Sequence, residues 1–126
     1  MESMIEVRDL VKAFGTLIAV DHICFNVPVG CIRAFLGPNG AGKTTTIKML
    51  TTVLAPTSGQ IRIAGHDPVR HPMQVRRAFG IVFQDPSLDD ELTAHENLAL
   101  HAALYGVPRK EQGQRFEALL GFVGLW

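Results

Sequence analysis

The stretch Gly37–Thr45, GPNGAGKTT, combines glycines, a lysine and hydroxyl side chains at a spacing suited to phosphate chemistry. It fits the pattern G-x-x-x-x-G-K-[ST], in which converging backbone N–H groups meet phosphate oxygens. Glycine permits the tight bends that such a loop needs, and we expect these bends at Gly37, Gly40 and Gly42. The predicted phosphate-binding residues are Gly37, Pro38, Asn39, Gly40, Ala41, Gly42, Lys43, Thr44 and Thr45.

The last residues of the motif are predicted to have different roles in binding a nucleoside triphosphate. Lys43 can reach the β- and γ-phosphates as a point charge, and the Thr44 hydroxyl can ligate Mg²⁺. A helix that begins near Gly42 adds its positive N-terminal end. The simpler interpretation is a glycine-rich turn that binds nothing. The buried strand expected before the loop and the helix expected after it favour phosphate binding.

The elements that must position this loop follow from hydrophobic patterning and breaker residues. The sequence predicts strands over residues 4–15, 20–28, 31–37, 59–65 and 80–84. We expect the strands at 31–37 and 80–84, CIRAFLG and GIVFQ, to be buried. Helices are predicted over 43–54, with Ile47, Leu50 and Leu54 on one face, and over 72–79.

The last third of the chain is predicted to be helical. Thr93 and Glu96 form a capping-box pattern at the start of a helix that ends at Gly106. A second helix carries an apolar face at i, i+3, i+4 and i+7. That face comprises Phe116, Leu119, Leu120 and Val123.

Composition limits the classes of protein that fit. The chain has 126 residues, 47% of them apolar and 19% charged, which suits a single globular domain. Formal net charge is zero and the pI is near 7.0, so no bulk charge predicts binding to nucleic acid or to an anionic membrane. We expect no transmembrane segment and no signal peptide. Cys24 and Cys31 are expected to be buried thiols on neighbouring strands, in keeping with a reducing compartment.

Two polar residues, Gln84 and Asp85, end the apolar run at 80–84 and could serve different chemistry. Asp85 follows Lys43 by 42 residues, a spacing compatible with the metal-binding acid of a compact GTPase or kinase. Asp85 also precedes Pro86, and Asp-Pro commonly starts a turn in which the carboxylate caps nearby N–H groups. The turn is the favoured interpretation.

Three long stretches make the sequence resemble the ATP-binding subunit of an ABC transporter. They are LVKAFGTLIAVDHICFNVPVG, FLGPNGAGKTTTIKMLTTVLAPTSGQIRIAGHD and VRRAFGIVFQDPSLDDELTAHENLALHAALYGV. The stretch FQDPSLDDELTAHENL resembles the daunorubicin-resistance type of drug exporter. The resemblance implies that the cofactors are ATP and Mg²⁺.

The resemblance also implies roles for individual residues. Phe14 would stack on adenine beside the small residue Ala19. Gln84 would contact Mg²⁺ and the attacking water, for which an amide suits because it can donate and accept hydrogen bonds. The catalytic residues would be Lys43 and Gln84, and the metal ligands Thr44 and Gln84.

The implied fold is α/β, a P-loop NTPase of ABC type. Residues 1–126 would form a partial domain, with an ATP-binding β-core over about 1–90 and the start of a helical subdomain over about 91–126. The Leu-Ser-Gly-Gly-Gln signature segment, the Walker B acid with its catalytic glutamate and the switch histidine of the family are not found in these residues. The sequence thus looks like the N-terminal part of an ABC ATPase.

The function implied for a full-length protein is Mg-ATP hydrolysis that drives export of a drug-like or lipid-like compound. The expected partners are a membrane permease, contacted by about Asp85–Leu98, and a second ATP-binding subunit; no nucleic acid is expected. The location would be the cytoplasmic face of the plasma membrane. The alternatives are a soluble non-transport ABC ATPase, a compact P-loop kinase or GTPase using Asp85, and a nucleotide-binding fragment without turnover.

Overall fold

The structure, a computed structural model, describes residues 2–38, 40–82 and 84–126. Asn39 of the predicted loop and Phe83 of the predicted strand lie outside the described residues. The chain divides into two compact units, residues 1–80 and residues 81–126. Among the described residues, the first unit contains a sheet and two helices, and the second contains two helices. The predicted boundary near residue 90 between core and helical subdomain stays a prediction.

A three-stranded antiparallel sheet forms the frame of the first unit. Its strands are β1 (Ser3–Phe14), β2 (Leu17–Pro28) and β3 (Ser58–Ile63), in the spatial order β2-β1-β3. β1 and β2 are joined by a tight turn at Gly15 and Thr16. Gly15 has a φ of 60°, in the left-handed region that glycine tolerates. These three strands confirm the sequence prediction.

The central strand β1 is irregular at Asp9. Val7 and Leu10 lie an odd number of residues apart, yet both are buried, at 2% and 0% exposure. A regular strand would place them on opposite faces. Asp9 has a φ of 47°, and the register with β2 shifts between Val7 and Leu10. This β-bulge turns Leu10 back towards the core.

Two helices of the first unit complete its core. The first, α1, spans Lys43–Leu50, and the second, α2, spans Pro72–Arg77 with its proline in the first turn. They pack their apolar side chains against the sheet. The core consists of Val7, Leu10, Val20, Met49, Leu50, Ile61, Ile63 and Val75.

The buried face of α1 differs from the predicted one. Thr46, Met49 and Leu50 are buried, whereas Ile47 is 37% exposed. The three buried residues follow the i, i+3, i+4 spacing of one helical face, and Ile47 lies off that face. Because the helix ends at Leu50, Leu54 reaches the core from the loop that follows and not from the helix.

The predicted buried strands at 31–37 and 80–84 were wrong for the described residues. Both segments lack regular structure, and Ile32, Leu36 and Val82 are 96%, 93% and 97% exposed. A strand buried on both faces needs hydrogen-bonding neighbours at its edges and layers above and below. The strands of the described sheet pair with one another, and neither segment is paired with them.

The prediction of buried cysteines was also wrong, because Cys24 and Cys31 are both exposed. Ile23 and Phe25, which flank Cys24 on β2, pack towards the core. Successive side chains of a strand alternate between faces, so this packing leaves Cys24 on the outer face. The Cys24 Sγ accepts a hydrogen bond from the Asp9 N–H at 3.2 Å.

The second unit contains the two predicted helices. They are α3 (Ala94–Leu104) and α4 (Arg109–Phe122), and Phe116 of α4 is buried with its ring 5.2 Å from that of His95. The predicted apolar face of α4 is only partly buried, since Leu119 and Val123 are 56% and 60% exposed. Among the described residues, no helix has both the length and the apolar character to cross a bilayer.

Candidate nucleotide-binding site

The loop before α1 has two of the three predicted glycine bends. Gly40 and Gly42 have φ values of 86° and 90°, where a side chain is strained. Gly37 is outside the positive-φ region, so the bend predicted there is not required by its backbone. Within the loop, the Ala41 N–H donates to the Pro38 carbonyl at 3.2 Å.

Gly42 also joins the loop to β2. A Cβ added at Gly42 would lie 2.6 Å from the Ala19 carbonyl oxygen and 3.3 Å from a methyl carbon of Val20. Such a distance to a backbone atom is sterically forbidden, so only glycine permits this approach. The N-terminus of α1 is therefore held directly against the residue that the sequence predicts beside the adenine.

Lys43 folds back over the loop that it follows. Its ammonium donates a hydrogen bond to the Gly37 carbonyl oxygen, so the charge lies over the predicted phosphate site. Thr44 is exposed and Thr45 is half-buried. The next residue, Thr46, is buried and its hydroxyl donates to the Gly42 carbonyl at 2.8 Å. Thr46 therefore serves the helix, whereas the Thr44 side chain is available to a ligand.

The N-terminus of α1 is open. Among the described residues no side chain caps it, and no acid lies in its first turn. The N-terminal N–H groups of a helix lack partners within the helix and carry a partial positive charge. The loop therefore leads into a helix end whose backbone donors and charge suit an anion.

The start of α3 shows the opposite arrangement. The Thr93 hydroxyl accepts from the Glu96 N–H at 3.1 Å, and the Glu96 carboxylate accepts from the Thr93 N–H at 2.7 Å. This capping box was predicted and is confirmed. The hydrogen bonds from the Thr93 N–H and hydroxyl hold the pKa of Glu96 below its usual value. Two of the N-terminal N–H groups of α3, those of Thr93 and Glu96, are thus already bound by side chains, whereas no side chain caps α1 among the described residues.

Phe14, the predicted adenine-stacking residue, ends β1 and is 49% exposed. The ammonium of Lys12 lies 5.2 Å from the centroid of its ring. Ala19, predicted beside the base, is half-buried on β2. Lys12 was not among the predicted site residues. The sequence signal that could have indicated it is a basic residue two positions before Phe14 on the same strand, because such residues lie on the same face.

Gln84 and Asp85 lie at the start of the second unit, and both are exposed. The chain bends at these two residues. Of the residues before them that the structure describes, Ile81 and Val82 lack regular structure and Val82 is exposed. A metal-binding acid at Asp85 would depend on a buried strand at this place. The structure thus gives no support to that interpretation of Asp85.

Asn97 is a polar residue of the second unit that the sequence analysis missed. It is buried at 8% exposure in the first turns of α3. Its Oδ1 accepts from the Asp89 N–H at 3.0 Å, and its Nδ2 donates to the carbonyls of Asp89, Leu92 and Thr93 at 3.1, 3.3 and 3.0 Å. Asn97 thereby fixes the polar turn in front of α3. The sequence signal that was available is that Asn97 places an amide on the side of α3 where an amphipathic helix carries apolar residues.

The glycine-bent loop, the lysine over it and the uncapped helix together define the class of P-loop nucleotide-binding proteins. The protein-family description "ABC transporter" matches residues 20–126. The chain therefore belongs to the ABC transporter ATP-binding family, and its fold is the α/β P-loop fold of ABC ATPases.

Curated relatives are similar over nearly the whole chain. The bacitracin transport ATP-binding protein BcrA of Bacillus licheniformis is 41% identical over 99% of this chain and 40% of its own length. The daunorubicin/doxorubicin resistance ATP-binding protein DrrA of Streptomyces peucetius is 42% identical over 96% of this chain and 37% of its own. The chain thus spans about 40% of these relatives.

Solved structures show the same fold. The ATP-binding subunit of an ABC transporter superposes with a TM-score of 0.85 and 35% identity, over 98% of this chain and 51% of that one. The cbiO1 protein of Clostridium perfringens, part of the ABC transporter complex cbiONQ, superposes with a TM-score of 0.85 and 27% identity. The match covers 99% of this chain and 52% of cbiO1.

The contact between Gly42 and Ala19 predicts a large effect of a single methyl group. Gly42→Ala combines a left-handed backbone with a clash against the Ala19 carbonyl, and we expect it to lower the free energy of unfolding by at least about 2 kcal/mol. Gly40→Ala is the matched control, because Gly40 has a similar φ and nothing within 4 Å of an added Cβ. Thermal unfolding of both variants is the measurement, and equal losses would contradict the proposed contact.

Proposed function

We propose that the full-length protein binds Mg-ATP at Gly37–Thr45 and hydrolyses it to drive export of a drug-like or lipid-like compound through a partner permease. The observation that carries the proposal is the open N-terminus of α1, with Lys43 over a loop that only glycine can form. A triphosphate would meet the backbone N–H groups of Gly40 to Thr45, and the Lys43 ammonium would leave the Gly37 carbonyl for the β- and γ-phosphates.

The donor set of the chain fits Mg²⁺, a hard cation that takes oxygen ligands. The family resemblance is the basis on which we propose the Thr44 hydroxyl and the Gln84 amide oxygen as its ligands, and the ion would neutralise charge on the phosphates. Gln84 would also orient the attacking water. Phe14 would stack on adenine with Ala19 beside it, and the exposed half of its side chain supports that role.

The type of transporter is proposed from the relatives. BcrA and DrrA are named for bacitracin transport and for daunorubicin and doxorubicin resistance, and both match almost the whole of this chain. We extend to this protein only the chemical class, a drug-like or lipid-like compound that leaves the cell.

The proposed partners are an integral-membrane permease and a second ATP-binding subunit. The structurally similar cbiO1 protein is part of the transporter complex cbiONQ, which supports an assembly of this kind. We place the permease contact at Asp85–Leu98, the turn and the first half of α3, where the helical subdomain begins at about residue 91. The protein would then act at the cytoplasmic face of the plasma membrane.

The permease contact is tested by a charge reversal on the exposed turn. Asp90→Lys should raise the permease concentration needed for half-maximal stimulation of ATP hydrolysis by about tenfold, because a reversed rim charge weakens encounter and register. Asp90 is the better probe than Asp89, whose carboxylate accepts from the Glu91 N–H at 2.9 Å and so also shapes the turn.

The control for this experiment is Glu117→Lys, the same change of charge on an exposed position of α4 outside the proposed contact. The measurement is permease-stimulated phosphate release by the full-length protein in proteoliposomes. An unaltered dependence on permease concentration for Asp90→Lys, or an equal weakening by Glu117→Lys, would remove the contact from Asp85–Leu98. Absence of any stimulation in the parent protein would contradict the transport function itself.

A further inference from the structure

A lysine covers one side of the aromatic ring at the end of β1. The Lys12 ammonium lies 5.2 Å from the centroid of the Phe14 ring, within the range of a cation–π interaction. The same ammonium donates a hydrogen bond to the Ala55 carbonyl at 2.8 Å. Two contacts therefore hold the Lys12 ammonium in place, one with the Phe14 ring and one with the Ala55 carbonyl.

Ala55 belongs to the segment that follows α1, and this segment is attached to β1 at neighbouring points. The Ala13 N–H donates to the Thr57 hydroxyl at 2.9 Å, and the Thr57 N–H donates to the Val11 carbonyl at 2.9 Å. Together with the bond from Lys12, these contacts join the end of β1 to the chain beyond α1. Of these three hydrogen bonds, only the one from Lys12 has a donor group that also contacts the Phe14 ring.

This arrangement links the ring to the phosphate loop through one scaffold. Gly42, before the first turn of α1, lies against the backbone of Ala19, and Ala55, after the helix, holds Lys12. A nucleotide has a fixed span between its base and its phosphates. A ring that stacks on the base must therefore be held at a set place relative to the helix that binds the phosphates.

From these contacts we infer that Lys12 is a positioning residue for the base of the bound nucleotide. It holds one face of the Phe14 ring through the cation–π contact, and it leaves the base the remaining exposed part of the ring. Lys12 acts through Phe14 and does not contact the nucleotide. The inference rests on the proposed role of Phe14 in stacking on adenine.

The experiment compares the affinity of the full-length protein for Mg-ATP with its affinity for inorganic tripolyphosphate, which has no base. Lys12→Met keeps the length of the side chain and removes the charge. It should weaken Mg-ATP binding by about two- to fivefold, the equivalent of an exposed cation–π contact, and leave tripolyphosphate binding unchanged. Lys12→Arg keeps a cation over the ring and a donor for Ala55, and it should restore Mg-ATP binding.

Two further variants separate the possible outcomes. Thr57→Val removes the neighbouring attachment of β1 without touching the ring, so it should leave the preference for ATP over tripolyphosphate unchanged. Phe14→Leu should weaken Mg-ATP binding at least as much as Lys12→Met. If Phe14→Leu lowers ATP affinity and Lys12→Met does not, the inference fails and the stacking role survives.

The remaining outcomes are also decisive. If Phe14→Leu has no effect on ATP affinity, both the stacking role and the inference fail. Equal weakening of ATP and tripolyphosphate by Lys12→Met would show that Lys12 binds phosphate directly or only stabilises the fold, and either result overturns a positioning role.

Discussion

Lys43→Ala should reduce the affinity for Mg-ATP by about 10- to 150-fold, the equivalent of a charge-assisted contact worth about 1.5–3 kcal/mol. The Lys43 side chain makes its hydrogen bond to the Gly37 carbonyl and none of the core residues depends on it. The variant should therefore fold normally and lose only its ligand. Isothermal titration of Mg-ATP into the full-length protein is the measurement.

Lys48→Ala is the matched control, since Lys48 is an exposed lysine of the same helix at its opposite end. It should bind Mg-ATP as the parent does. Equal affinity of Lys43→Ala and the parent, with both proteins folded, would remove the phosphate-binding role from the loop.

The 126-residue chain by itself should turn over ATP very slowly. Hydrolysis needs a water in line with the γ-phosphate, a carboxylate to polarise it and donors on the far side of the phosphate. Gln84 can orient water, but an amide is not a base. Loss of general-base assistance alone costs about 10²–10⁴-fold, and loss of the closing donors costs more.

The same measurement of phosphate release distinguishes Gln84 from Asp85. Neither Gln84→Ala nor Asp85→Asn should change the low rate of the isolated chain by much, and Gln84→Ala should slow the full-length protein. If Asp85 held the metal of a compact NTPase, the isolated chain would approach ordinary rates of about 1 s⁻¹ or more. Robust turnover by that chain which Asp85→Asn abolishes would overturn the assignment of Gln84.

The sequence predicted those elements whose stabilising contacts lie close along the chain. The capping box is local, because it depends on two residues three positions apart, Thr93 and Glu96. The start of α2 is also local, because it depends on a single proline in the first turn. The strands β1 and β2 form a hairpin, whereas β3 pairs with β1 from beyond α1 and is an exception to this rule. The residue pattern within each strand was nevertheless sufficient to find all three. The conformation of the loop Gly37–Thr45 likewise depends on residues that are neighbours in the sequence.

The errors arose where a side chain depends on distant partners. Ile32 and Leu36 look like a buried strand, but hydrophobicity alone supplies neither hydrogen-bonding neighbours nor covering layers. The burial of Leu10 depends on the bulge at Asp9, and a strict period of two does not foresee a left-handed aspartate. The exposure of Cys24 follows from which face of β2 meets the core, a fact set by packing.

The two residues that sequence analysis missed are polar side chains that act through geometry. Asn97 satisfies three carbonyls and one N–H of the chain around it, and Lys12 joins a ring to a carbonyl 43 positions further along the sequence. The sequence signals at these two positions do not reveal which groups the side chains contact, since an isolated lysine is most often solvated and an isolated asparagine most often lies in a turn.

A crystal structure of the full-length protein with Mg²⁺ and a non-hydrolysable ATP analogue tests the central claim most directly. We predict that the triphosphate lies against the backbone N–H groups of Gly40 to Thr45, with the Lys43 ammonium moved from the Gly37 carbonyl to the β- and γ-phosphates and with Gln84 at the metal. Nucleotide bound elsewhere, Lys43 still on Gly37, or the Asp85 carboxylate as the metal ligand would contradict the account.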